Sequence, residues 1–179
     1  MEKNKSMVCI LIDFQEKLFQ HMDGKEALLD SAEKLVQGLN LLKIPIIWNE
    51  QYPKGLGATV GQISRHLACS EPIIKNTFSC CDNDAFNRKL AEHQNHHILL
   101  FGIEAHVCIY QTGRDLLSSG YTVDIISDCV SSRKKQDKET ALRRLEMLGA
   151  GILSTEMILF DLLQTAEGDV FKSISKLVK

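Results

Sequence analysis

Met7-Val8-Cys9-Ile10-Leu11-Ile12 is an unbroken apolar run that stops at Asp13. A strand covered on both faces has no wet side to alternate with, so such a run predicts a central parallel strand. Apolar runs predict further strands at Ile44-Pro45-Ile46-Ile47-Trp48, Ile98-Leu99-Leu100-Phe101, Tyr121–Ile126 and Ile152–Thr155. Pro72-Ile73-Ile74-Lys75 reads as a short edge strand, and Ser127-Asp128 closes the strand before them. Leu28, Ala32, Leu35, Leu39 and Leu42 recur at helical spacing and predict an amphipathic helix. A short helix is expected around Val60–Cys69, and another from a cap at Asp82 or Asn83 through Leu90. Ile109–Leu117 reads as a helix, with Gly102 marking the break before it. Ala141, Leu145 and Leu148 mark the face of the next helix, and Glu156–Leu163 and Gly168–Leu177 finish the chain. Val170, Ile174 and Leu177 are expected to pack that last helix on its own core. Strands and helices alternate, which implies a parallel sheet covered on both sides. The expected architecture is a three-layer α/β/α sandwich around a Rossmann-like, mostly parallel six-stranded sheet. A single domain over residues 1–179 is expected.

Composition narrows the class. The 179 residues carry a net charge of −2 and are 44% hydrophobic, ordinary for a globular domain. That charge supplies no general attraction to nucleic acid or anionic lipid. No apolar run approaches membrane-spanning length, and Met1–Ser6 leads into the first strand without a signal-peptide segment. The six cysteines show no metal-type spacing, which suits free thiols in a reducing cytoplasm. The expected partners are therefore a small-molecule substrate and further copies of the chain, with neither nucleic acid nor membrane. His96 and His97 precede a strand on the edge away from the chemistry and are not read as metal ligands.

Three strands end in reactive side chains: Asp13, Lys75 and Cys108. Parallel strands share one carboxyl-terminal edge, so the three can converge although they are far apart in sequence. A thiolate attacks an sp² carbon, an aspartate moves the proton, and a lysine holds the aspartate charged while lowering the thiol pKa. Cys108 falls in or near a first helical turn, where free N–H groups and the helix dipole favour a thiolate. His106, two residues before it, is the rival base, but residues two apart on a helix do not face each other. Asn49–Gly57 is a polar and aromatic loop at the same edge. Its glycines, with Gly61, have the wrong spacing for a nucleotide fingerprint.

Ile12-Asp13-Phe14-Gln15, Lys75-Asn76-Thr77-Phe78-Ser79 and Gly102-Ile103-Glu104-Ala105-His106-Val107-Cys108 occur in this order. With them the chain resembles the isochorismatase-like cysteine hydrolases from Val8 to about Thr155. Glu50–Gly57 and Ser131-Ser132-Arg133 further resemble the isochorismatase domain-containing branch. The resemblance implies a catalytic triad of Asp13, Lys75 and Cys108. It also implies an oxyanion hole from the Glu104 and Cys108 backbone N–H groups, and a cis peptide bond between Ile103 and Glu104. Metal-containing members carry Asp-x-His where this chain reads Asn49-Glu50-Gln51, so neither metal nor cofactor is expected. Gln15, Phe19, Trp48, Tyr52, Phe78 and His106 are the expected substrate-binding residues, and Arg133 a solvated loop residue. The expected activity is hydrolysis of a small amide or related carbonyl compound through a thioester. The alternatives are a non-amide substrate such as a vinyl ether, a nucleic-acid enzyme, or a protein of this fold acting through partners.

Overall fold

The computed structural model describes residues 7–67, 71–93 and 97–179. Its strands are β1 (Met7–Ile12), β2 (Ile46–Gln51), β3 (Ile73–Lys75), β4 (His97–Ile103), β5 (Thr122–Ser131) and β6 (Gly151–Leu153). Its longer helices, numbered with the short ones in chain order, begin with α2 (Lys25–Leu41), preceded by the single turn α1 (Glu16–Phe19). The short α3 (Pro53–Leu56) and α4 (Gly61–Ser64) come next, then α5 (Asp84–Ala91) and α6 (Tyr110–Ser118). The chain ends with α7 (Lys135–Met147), α8 (Thr155–Leu163) and α9 (Gly168–Leu177). Cys69 and His96, singled out in the sequence, lie outside the described residues.

The strands form one parallel sheet in the order β3-β2-β1-β4-β5-β6. The order reverses between β1 and β4, the switch point at which open α/β sheets place their sites. All six residues of β1 are buried, which is why its sequence is uniformly apolar. Packing of α2 against α4, α8 and α9, and of α6 against α7, supplies the two helical layers. Each fully buried Leu or Ile contributes roughly 1.5–3 kcal/mol, and Ile10, Leu35, Leu39, Leu99 and Leu100 are among those with no exposed surface. Asn83 caps α5, its Oδ1 accepting from the N–H groups of Ala85 (2.9 Å) and Phe86 (3.1 Å). Among the described residues no helix is long and apolar enough to cross a membrane.

Several boundaries differ from expectation for identifiable reasons. The second strand begins after Pro45 and continues through Asn49 and Glu50 to Gln51, because Asn49 pairs with Ile12 of β1 and Ile73 of β3, and Gln51 pairs with Lys75 of β3. Polar residues there read as loop from sequence, yet Asn49 and Glu50 are buried. Strand β5 runs on to Ser131, its pairing with β4 shifting between Leu100 and Gly102. Gly102 is no break: it lies within β4 with φ +131°, where a Cβ would sit 2.0 Å from the Ile12 carbonyl oxygen. Leu148 ends α7 and is partly exposed. In α9, Ile174 is buried while Val170 faces outward.

Candidate active site

The chain leaves β1 through Asp13, leaves β3 at Lys75, and leaves β4 through a single π turn, Ala105–Ile109, that carries Cys108. The expected ordinary first helical turn is therefore a wider one. Turns of this kind recur at functional sites. Asp13 has φ +52°, a left-handed conformation sparse for a non-glycine residue. Two main-chain bonds hold it: its N–H donates to Asn49 O at 3.0 Å, and its carbonyl accepts from Gln15 N at 2.7 Å.

Lys75 Nζ lies 2.7 Å from Asp13 Oδ2, and neither side chain has exposed surface. The ammonium also donates to Gln51 Oε1 at 2.7 Å, Thr77 O at 3.2 Å and Phe78 O at 3.3 Å. The other Asp13 oxygen, Oδ1, is buried without a hydrogen-bond partner among the described residues. Burial pushes the Asp13 carboxyl up from its ordinary value, with Lys75 offsetting part of the effect. Burial pulls Lys75 down, but the Asp13 charge leads the effects that outweigh it, and its pKa is raised from the ordinary value.

Cys108 faces this pair. Its thiol is pushed up to about 12, first by burial and then by the Asp13 charge, with Lys75 opposing both. The direction is opposite to the lowering expected from the helix terminus and Lys75. Dehydration and a neighbouring carboxylate outweigh a dipole effect of roughly 0.3–1 kcal/mol. The Ile103–Glu104 peptide bond is cis, and Glu104 O accepts from Val107 N (3.1 Å) and Ile109 N (3.2 Å).

The other expected contacts divide. Gln15 is fully buried, and its carboxamide is engaged with main chain: Oε1 accepts from Gln51 N (2.7 Å), while Nε2 donates to Gln51 O (3.0 Å) and Gly57 O (2.6 Å). It is a clamp on Gln51 rather than a pocket wall. Phe19 stacks on Phe14 at 5.5 Å, and the Trp48 indole N–H donates to Thr59 Oγ1 at 2.8 Å. Both are half-buried packing residues. Tyr52 and Phe78 stand exposed, at 55% and 56%, on either side of Lys75 in sequence. Tyr52 N–H donates to Lys75 O, and the Tyr52 ring rests on Gly55, where any Cβ would meet it at 2.3 Å. His106 turns to β5: Nδ1 lies 2.9 Å from Ser132 Oγ and 3.7 Å from Glu104 Oε2, and Glu104 also binds Arg133 Nε at 3.0 Å. Arg133 is exposed yet paired. His97 starts β4 and pairs with Asp124 at 2.5 Å.

Gln51 was not singled out by sequence, nor was the pairing of Glu50 Oε1 with Thr59 N (2.7 Å) and Oγ1 (2.8 Å). A glutamine in a polar stretch carries no chemical signature; only its alternation with Asn49 beside an apolar strand could have suggested burial. Among the described residues no group of three or more His, Cys, Asp or Glu is placed to hold a metal. A groove of about 640 Å³ between α2 and α9, and a cavity of about 300 Å³ between α2, β5 and α7, lie elsewhere and touch none of the three candidates. The converging chemistry, rather than cavity volume, marks the candidate site.

Residues 7–157 match the Isochorismatase domain. The chain belongs to this family. It is 38% identical to isochorismatase family protein 1B of Dictyostelium discoideum, covering 94% of this chain and 84% of the relative. It is 37% identical to isochorismatase domain-containing protein 2 of Danio rerio, covering 97% and 87%. The solved structure of MAR1 ribonuclease from Caenorhabditis elegans superposes with a TM-score of 0.91 at 34% identity, covering 98% of this chain and 90% of that one. The family assignment brings with it an isochorismatase-type hydrolase fold, the α/β sandwich described above.

Proposed function

We propose that the chain is a cysteine hydrolase of a small amide or related carbonyl compound. The observation that carries this reading is the dry Asp13–Lys75 pair facing the Cys108 thiol. Asp13, held above its ordinary pKa with one oxygen unpartnered, is suited to taking a proton and returning it. In the proposed cycle the thiol proton passes to Asp13 as sulfur bonds to the carbonyl carbon. The carbonyl electrons move to oxygen, which the Glu104 and Cys108 N–H groups would hold. Collapse breaks the C–N bond, and Asp13 gives its proton to the departing amine. Water then attacks the thioester carbon and gives a proton to Asp13; collapse breaks the C–S bond, sulfur takes that proton back from Asp13 as the thiol, and the acid leaves. The raised thiol pKa suits proton transfer to Asp13 during attack rather than before it. Tyr52 and Phe78, both exposed, are the proposed substrate contacts. Unpaired thiols at all five described cysteines suit a reducing cytoplasm. Exposed Ile74, Tyr52 and Phe78 suit a homo-oligomer that covers this edge.

The relative named as a ribonuclease favours RNA as a second reading. The net charge of −2 supports it poorly. The test is a panel of small amides, ureides and vinyl ethers, with RNA as one member, incubated with the wild type and Cys108→Ala. Turnover of a small carbonyl compound that vanishes in Cys108→Ala is the expected result. Cysteine-independent turnover, or RNA cleavage alone, overturns the reading.

A further inference from the structure

We propose that Ser79, Thr112 and Asp115 are positioning residues that fix Lys75 by fastening the loop around its ammonium to the helical run bearing Cys108. The proposal rests on the triad reading above. Lys75 has three N–H donors and no acceptor, yet its Nζ faces four oxygens. Two of these are the Thr77 and Phe78 carbonyls, so the course of the loop sets where the ammonium sits.

That course is fixed from the nucleophile's side. Ser79 Oγ donates to Asp115 Oδ2 at 2.7 Å, and Cys80 N–H donates to Thr112 Oγ1 at 3.0 Å. Within the loop, Thr77 Oγ1 donates to Ser79 O at 2.8 Å. Ser79 and Thr112 are almost fully buried, at 1% and 0% exposure, so the Cys80–Thr112 bond is shut off from bulk water, while the Ser79–Asp115 bond is part-buried at its Asp115 end. Arg114 occupies Asp115 Oδ1 at 2.8 Å and leaves Oδ2 for Ser79. Thr112 follows Cys108 by about one turn, so the helix that aims the thiol also aims the loop. None of the three touches a reacting atom. Their effect runs through Lys75, whose charge opposes the rise in the thiol pKa and weakens with distance.

The test is alkylation of Cys108 by iodoacetamide in the intact chain, read by peptide mass spectrometry from neutral to alkaline pH, and it needs no substrate. Lys75→Met is the reference and should displace the profile to higher pH. Ser79→Ala and Asp115→Leu should displace it the same way by less, slowing labelling about three- to tenfold at a fixed pH. Asp115→Asn keeps an oxygen for the Ser79 hydroxyl and should label like the wild type. Simple loss of the Asp115 charge would move the profile to lower pH, and mere loosening would speed labelling at every pH, so both signs oppose the expected one. The double variant Ser79→Ala/Asp115→Leu should shift no further than either single one. If Asp115→Leu does not fold, Ser79→Ala and Thr112→Val carry the test. A shift in Lys75→Met without one in the folded loop variants overturns the positioning role and leaves the triad standing. No shift in Lys75→Met overturns both.

Discussion

Lys75 and Asp13 form an ion pair with Nζ 2.7 Å from Oδ2 and with no exposed surface on either side chain. Removing one partner of such a pair typically costs ~3–5 kcal/mol, because the other charge stays buried. Here the remaining partners are unequal. Lys75 keeps three other oxygens if Asp13 is neutralised, whereas among the described residues Asp13 keeps no other cation within bonding distance if Lys75 is removed.

Cys108→Ala should therefore abolish turnover with the fold intact, and Asp13→Asn should lower it by roughly 10²–10⁴. Circular dichroism and turnover on a hydrolysed amide from the panel check both. Either folded variant turning over at the wild-type rate would sink the mechanism.

Burial raises the Asp13 pKa, and Lys75 draws it back. The base form is lost as pH falls, so the acid limb of kcat/KM should lie above the ordinary carboxylate value. Lys75→Met removes the opposing charge and should move residual activity's limb further up. Stability follows the same sign. A group whose folded pKa is raised contributes stability below its unfolded pKa, and that stability is lost as pH rises through the folded value. Lys75→Met should accordingly be most stable in acid and lose stability toward neutral pH more steeply than the wild type. Urea midpoints across pH would show this, and parallel curves for the two proteins would contradict it.

At the end of β2, Glu50 is committed to Thr59, while Asn49 and Gln51 offer no anionic ligand. Dialysis against EDTA should leave turnover unchanged. Loss of activity restored by a stoichiometric metal would place an ion where the side chains are otherwise engaged.

Gly102→Ala should destabilise the fold by about 3–5 kcal/mol, among the largest effects of a single methyl group. The added carbon would meet the Ile12 carbonyl at 2.0 Å, in backbone that does not yield, at φ +131°. A denaturant midpoint within error of the wild type would refute this.

The convergence of Asp13, Lys75 and Cys108 was legible because the first two end apolar runs, the third follows one by a short turn, and ends of parallel strands meet. The sheet was legible for the same reason. Gln51 was not, because a buried polar strand end has the composition of a loop until its neighbours in space are known. Gln15 was legible as a residue near the site but not as a clamp, since its partners are main-chain groups 36 and 42 residues away. The Cys108 thiol was misjudged in sign: a dipole can be read from helix position, while the dehydration opposing it depends on everything packed above. Ser79 lay within a recognisable motif, yet its bond to Asp115 joins residues 36 apart and leaves no local trace.

Cys9 lies in β1, Cys80 in the loop beyond β3, Cys108 on the π turn and Cys129 in β5, all buried, with Cys81 half-buried beside them. Burial also raises the pKa of each. In the native molecule Cys9, Cys80 and Cys129, at 0% exposure, are consequently protected both by access and by protonation, whereas Cys108 keeps some exposed surface at the site, and any opening removes both protections together. Because they sit on different elements, the order in which they become modifiable in mild denaturant records which element detaches first. The sulfur atoms thus serve as a spatially resolved clock for the chain's own unfolding.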